Sequence, residues 1–231
     1  MRILMVASDR MEFPGILAHA KSARPSPIAV DWARETELAG NPVLLAANGA
    51  GARRAAAAVD AALDKFPADV IVSTGFCGAL SPELAVADIV SATCVTDGTR
   101  SFPVLQPNSS RAHRQGVVIS IDHVAQTAEE KRRLRTGGGL VVEMEAAGVA
   151  ERTVARGVGF YCVRVVSDLA SEDMANDFNA ALRDDGHFAT MNILKGTLRK
   201  PLVRLPELLR LRNRCARAAR VLGEFIADCR F

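Results

Sequence analysis

The sequence predicts an α/β protein of three layers, a mixed and largely parallel central sheet with helices on both faces. Three observations predict it. Short aliphatic and β-branched runs alternate with helical patterns along the whole chain. No internal repeat or linker divides them. At 231 residues and 49% hydrophobic content, the chain can bury the core that such a sheet needs. The body is read as one domain over 1–200, with a basic helical tail over 201–231 packed on it or extending from it.

Arg2 to Ala7 is a first strand that ends in Ser8-Asp9-Arg10, and a helix is expected around Glu12 to Ala20. Pro25 to Pro27 marks a turn, Ile28 to Glu37 alternates as a strand, and Asn41-Pro42 punctuates before the strand Val43 to Ala47. Asn48-Gly49-Ala50-Gly51 then leads into an Ala-rich helix over Ala55 to Phe66. A glycine pair between strand and helix lets backbone N–H groups approach an anion or a ribose, although it equally fits a tight turn. It does not match the dinucleotide fingerprint.

Asp69 to Thr74 is the next strand, turning at Gly75-Phe76-Cys77-Gly78. Asp88 to Cys94 resumes β structure, and Thr96 to Gly116 has no period and reads as a surface excursion that could face substrate. Val117 to Asp122 is a strand, Ala128 to Arg135 a charged helix and Gly139 to Val142 a strand. A helix over Ala146 to Arg156, a strand over Gly159 to Val166 and a long helix over roughly Ala175 to Thr197 complete the body.

Composition excludes several classes. The net charge of +3 is too small to argue for nucleic acid, and one Trp and one Tyr provide no stacking platform. Charge is uneven, with ten Lys/Arg against three Asp/Glu from Lys195 onward and nineteen against 23 before it. Five scattered cysteines without a CxxC pair, and four isolated histidines, give neither a disulfide framework nor a metal site. No organic cofactor is expected. With no run of 18 apolar residues and no signal-peptide pattern, a reducing cytoplasm is the expected location.

Two acids, Glu143 and Glu145, stand where a strand becomes a helix. Burying an unpaired carboxylate is costly, so acids here either serve the helix N-terminus or face a cleft holding something polar. Asp168 occupies the same kind of position one strand later, and Glu12 follows the first strand. Each alone fits a solvated or helix-opening acid. Together they fit a polar ligand.

Four segments carry a family resemblance: Ser8 to Glu12, Ser73-Thr74-Gly75-Phe76-Cys77-Gly78-Ala79, Val142-Glu143-Met144-Glu145-Ala146-Ala147, and Val163-Arg164-Val165-Val166-Ser167-Asp168. Their order and spacing resemble the nucleoside phosphorylase / methylthioadenosine–adenosylhomocysteine nucleosidase family over most of residues 1 to 200. The resemblance implies that Met144 and Glu145 bind ribose beside Glu143. Asp168, oriented by Ser167, would protonate purine N7, and Glu12, with Arg164 beside it, would activate water. His123 and Val124 would stack the base. Gly75 and Phe76 would also line the site. An uncharged Asp168 would suit that chemistry, with burial beside Val165, Val166 and Leu169 raising its pKa.

Hydrolysis is the expected reaction. Ser73 and Phe76 stand where related phosphorylases hold phosphate and supply no cation, and a carboxylate at Glu12 would repel the dianion. Arg10 and Arg53 keep phosphorolysis open, with inorganic phosphate as co-substrate. A non-catalytic nucleoside-binding module would keep Glu145 but could dispense with Asp168 and Glu12. Thr96 to Gly116 and the bulky Phe76 depart from the usual nucleosidase, so a small methylthio substrate does not follow. The basic tail, Lys195 to Arg230, interleaves leucines and arginines. It fits a packed helix with a solvated face or an amphipathic surface touching anionic lipid. It resembles the hopanoid-associated nucleoside phosphorylases, which act on an adenosyl group attached to a lipid. The family pairs as homodimers or larger rings.

Overall fold

A computed structural model of the chain describes the backbone of residues 1–231 and every side chain except those of Thr190, Asn192, Leu194 and Lys195. It runs β1 (Ile3–Ala7), a 3-10 turn (Arg10–Glu12), α1 (Pro14–His19), β2 (Lys21–Pro25), β3 (Trp32–Leu38), β4 (Asn41–Ala47), α2 (Ala52–Leu63) and β5 (Val70–Ala79). Then come β6 (Ile89–Thr96), β7 (Ser101–Pro103), β8 (Arg114–Ser120), α3 (Ala128–Thr136), β9 (Gly139–Glu143), α4 (Ala146–Arg156) and β10 (Gly159–Asp168). Helices α5 (Thr190–Arg199) and α6 (Pro201–Asp228) close the chain.

The strands follow the order β2-β3-β4-β1-β5-β9-β8-β6-β10, and β10 pairs back onto β5. Strands β5, β9, β8, β6 and β10 therefore close into a barrel-like ring, while β1, β4, β3 and β2 extend from β5 as an open wing. The flat three-layer sheet expected from the sequence is corrected by that closure. The α/β character holds, and parallel pairs (β1 with β4 and β5, β10 with β5, β6 with β8, β8 with β9) mix with antiparallel ones.

Strand β5 makes closure possible because it serves both parts. On one edge β10 follows it from Val70 to Gly78. On the other, β1 pairs with Val70 to Ser73, and β9 pairs only with Gly78 and Ala79. Between those partners β5 forks, leaving backbone at Thr74 to Cys77 free of a strand on that side. The sequence suggested a turn there, but the glycines let the strand continue through it.

Side chains of β1 alternate between two cores, as a two-residue period requires. Leu4 and Val6 join Ala55, Val59 and Val149 of α2 and α4, whereas Met5 and Ala7 join Leu222, Phe225 and Ile226 of α6. Helices α1 and α6 cross so closely that a Cβ on Gly15 or Gly223 would overlap the other helix's backbone. The C-terminal half of α6 thus packs on the body and shares one core with β1.

Two further expectations change. The helix expected over Ala175 to Thr197 forms only from Thr190. Before it, Asp177 accepts from Ala180 N–H at 2.9 Å and Asp185 from His187 N–H at 3.1 Å. Such local side-chain bonds favour turns over helix. Strand β2 is wholly exposed and polar, so it carries no pattern to read.

Candidate active site

The fork in β5 is where the acids meet. Asp9 caps the 3-10 turn by accepting from Met11 N–H at 2.9 Å, and this turns Glu12 inward. Glu12 Oε2 accepts from Ser8 N–H and Ser8 Oγ, both at 2.9 Å, and from Asp9 N–H at 3.0 Å. Its Oε1 accepts from Phe76 N–H at 2.6 Å, a donor the fork leaves free. Burial raises the pKa of Glu12 despite these donors and the nearby Arg164. Gly75 permits the approach, because its φ is +133° and a Cβ there would strike the Glu12 carboxylate.

Arg164, on β10 opposite Gly75, has no exposed surface. Its Nη1 donates to the Thr74 carbonyl at 2.9 Å and its Nη2 to Ser73 Oγ at 2.6 Å. It ion-pairs with Glu143 and lies 3.8 Å from Glu145 Oε2. Burial opposes the charge, but Glu143, Cys162, Glu145 and Glu12 outweigh it and hold the guanidinium above its ordinary pKa. Arg164 stands behind the cavity wall, beneath the acids.

Glu143 and Glu145 divide the two roles that the sequence left open. Glu143 Oε2 accepts from Glu145 N–H at 3.0 Å and Ala146 N–H at 2.9 Å, so it is Glu143 that serves the N-terminus of α4. Glu145 makes no capping bond. Its Oε1 accepts from Gly51 N–H at 3.0 Å, the backbone donor that the glycine pair offered. Burial, then repulsion from Glu143, push its pKa up to about 8.

These groups face a cavity of about 420 Å³. Glu12, Phe76, His123, Val124, Glu143, Met144, Glu145, Ser167 and Asp168 all line it, while Gly75 and Arg164 stand directly behind the wall. Glu145 and Asp168 therefore share one chamber. Asp168 lies at the end of β10, with Oδ1 2.8 Å from Ser167 Oγ and Oδ2 2.5 Å from Lys131 Nζ. Lys131 is fully buried and was not anticipated; within Glu129-Glu130-Lys131-Arg132-Arg133 it reads as one solvated charge among several. Its position three residues before Leu134, which packs inward, was the available signal.

At the outer end, His123 lies between Asp122 (2.7 Å) and Glu130 (2.6 Å), and hydrogen bonds to both raise its pKa. Val124 is held by reciprocal bonds with the Asn179 side chain at 2.8 and 2.9 Å. The opposite wall is apolar: Met174, Phe178, Phe188, Ile193, Leu208 and Leu211. Those residues, from the segment after β10 and from α5 and α6, all follow the last motif of the sequence.

Comparison with known proteins now has a geometry to meet. A family model described as the phosphorylase superfamily matches residues 2–114 and 104–193. The chain belongs to the phosphorylase superfamily. A 5'-methylthioadenosine/S-adenosylhomocysteine nucleosidase of Staphylococcus aureus is 28% identical over 169 aligned residues, covering 61% of this chain and 74% of that protein. Among solved structures, a nucleosidase of the same description from Neisseria meningitidis, in complex with methylthio-immucillin-A, aligns with a TM-score of 0.75 at 20% identity, over 98% of this chain and 97% of that one. Futalosine hydrolase of Helicobacter pylori aligns with a TM-score of 0.73 at 15% identity, over 98% and 95%. At these identities the structures establish the fold.

Within this superfamily, the cations of the site distinguish water from phosphate as nucleophile. Ser73 is committed to Arg164 inside the wall. Phe76 offers its N–H to Glu12. Neither Arg10 nor Arg53 lines the cavity, and Arg53 instead donates to the Asp184 carbonyl at 3.1 Å. Among the described residues the cavity wall carries one guanidinium, Arg212 on α6, and no group of three His, Cys, Asp or Glu could hold a metal ion.

Proposed function

We propose that this member of the superfamily hydrolyses the N-glycosidic bond of a purine nucleoside, with adenine as the leaving base. Breaking that bond leaves positive charge on the ribose and moves electrons onto the purine. Glu145, with Met144, receives the sugar, and its carboxyl ionises as cationic charge builds beside it. Glu12 draws a proton from water on the face of the sugar opposite the base. Asp168 meets purine N7, between His123 and Val124 on one side and the β10 end on the other.

What supports the reading is one observation: Glu12, Glu145 and Asp168 line a single cavity whose sugar end holds three acids around one arginine. Such a site favours a cation and disfavours a phosphate dianion. The relatives described as nucleosidases agree with it. The test is to incubate the protein with a panel of adenosine derivatives, with and without phosphate, and to separate the products. Free sugar formed without phosphate is expected. A sugar 1-phosphate appearing only with phosphate would replace hydrolysis by phosphorolysis.

A second reading concerns the 5′ side. The apolar wall of Ile193, Leu208 and Leu211 adjoins the first half of α6, where Leu202, Val203, Leu205 and Leu209 are exposed beside Arg199, Lys200 and Arg210. This favours an adenosylated lipid of hopanoid type, with α6 resting on an anionic membrane surface. No described helix is long and apolar enough to cross a membrane. Removing α6 would open the core, so the test replaces Leu202, Leu205 and Leu209 by Ser and compares flotation with anionic liposomes; equal flotation ends the idea. The same reading takes the protein as a homodimer or larger ring, which a sedimentation mass equal to one chain would remove.

A further inference from the structure

A lysine with no exposed surface calls for an explanation, because burial disfavours the ammonium form. Lys131 enters from α3 and has two partners. Its Nζ donates to Asp168 Oδ2 at 2.5 Å and to the Leu169 carbonyl at 2.8 Å. The other carboxylate oxygen of Asp168 is 2.8 Å from Ser167 Oγ, which also lies 3.2 Å from the Cys77 carbonyl. Asp168 thus stands between the catalytic cavity and Lys131. Behind the pair, both residues touch a cleft of about 20 Å³, room for one water.

We propose that Lys131 is the source of the proton that leaves with the base, so that Asp168 rests as a carboxylate and acts as relay. The inference rests on the purine nucleoside reading and deepens it. Its ground is the 2.5 Å contact of Lys131 Nζ with Asp168 Oδ2, in place of the uncharged Asp168 expected from sequence. As the glycosidic electron pair moves onto the purine, an Nζ–H bond breaks and an Oδ2–H bond forms. The Oδ2–H then turns toward the base, breaks, and N7–H forms. Asp168 is again a carboxylate and Lys131 a neutral amine. Water adds to the sugar and loses its proton to Glu12. Lys131 regains a proton from water in the rear cleft, Glu12 releases one to solvent, and the cycle balances.

Residue type supports the assignment. A lysine can surrender its proton when desolvated, whereas an arginine cannot. The charged groups facing the pair are Glu172, Asp173, Glu207, Arg210 and Arg214 around the rear cleft. Glu172 is already paired with Arg214 at 2.6 and 2.9 Å, and Glu207 accepts from the backbone of Ala175 and Asn176 at 2.6 and 2.8 Å. The thiols of Cys77 and Cys215 also feel Asp168, and burial raises both.

The experiment compares the full-length wild type with Lys131→Arg and Lys131→Gln, following adenine release from pH 5 to 10. Lys131→Arg keeps the positive charge and Lys131→Gln keeps a donor; neither has a transferable proton. Both are expected to hold KM within about threefold and to lose about 100-fold in kcat, the scale of one general acid. Should either folded variant turn over at the wild-type rate, the proton source lies elsewhere. Parallel loss of KM, kcat and thermal stability would assign Lys131 to the scaffold and overturn the proposal. A wild type that releases no purine from any nucleoside removes the parent reading and this one together.

Discussion

The two ends of the cavity each hold a fully buried cation, and they use it differently. At the sugar end, Arg164 sits under Glu12, Glu143 and Glu145, which outnumber it. At the base end, Lys131 ion-pairs with Asp168, one charge against one. Arginine holds a permanent charge and a planar fork; lysine is a point charge that can be neutralised. The difference matches the demands of the reaction. A sugar turning cationic needs acids held in place to ionise against it, while a departing base needs a proton that can move. Ion pairing alone does not explain the choice, because a buried pair seldom stabilises a fold more than an apolar one of equal volume.

Asp168→Asn attacks the mobile end and should have the largest effect. The amide can still hydrogen-bond to a base but has no proton to transfer, so kcat should fall about 1,000-fold, within the range of one general acid. KM should stay within a few-fold, because the sugar end is intact. Steady-state kinetics on the best nucleoside of the panel decides it, and near-normal turnover would dissolve the contrast between the ends.

Glu12→Gln tests the fixed end through its nucleophile and should cost roughly 100-fold in kcat. The pH profile carries the sharper information. Glu12 must be ionised to accept a proton from water, and its pKa is raised by burial. Rate should therefore fall as pH drops through a value above the ordinary carboxylate range, and the variant should lose that acid limb.

Part of this contrast was legible in the sequence. The acids of both ends were legible, because Glu12, Glu143, Glu145 and Asp168 follow strands at places where an acid must have a polar reason to be. Local pattern alone could not separate Glu143 from Glu145, since which one turns back to the α4 N-terminus depends on where Arg164 lies across the sheet. Lys131 was hidden by its neighbours: a helix of charged residues looks solvated until its inward face is known. Ring closure was hidden for a related reason, because each strand's pattern records burial and not partner. The apolar wall from α5 and α6 comes from residues that carry no motif at all.

Glu145→Gln probes the surplus of charge directly. Burial, then repulsion from Glu143, push its pKa up to about 8, against an ordinary value of 4.5. Between those values the folded protein binds a proton that the unfolded chain does not, so this group makes stability decline as pH rises from 4.5 toward 8 and level off above. The amide cannot ionise. The variant should lose rate about tenfold or more with weaker binding, yet its melting temperature should decline less across that pH window than the wild type's. Thermal melts at pH 5 and pH 8 measure the difference; identical slopes would mean the site bears no excess charge for Glu145 to feel.

Gly75→Ala, expected to have the smallest effect on rate, asks whether the fixed end depends on its backbone. The added methyl would meet Glu12 Oε1 and lie 3.1 Å from Arg164 Nη1, in a left-handed backbone that L side chains rarely adopt. Strain of this kind costs about 1–3 kcal/mol, so the fold should survive. Glu12 would have to swing away from Phe76 N–H, giving up its 2.6 Å bond there while keeping those to Ser8 and Asp9. The fixed end would loosen and the mobile end, at the far side of β5's fork, would not. A several-fold fall in kcat confined to the acid side of the pH profile is the expected result. A uniform fall across the whole pH profile would instead mean that the two ends communicate through β5.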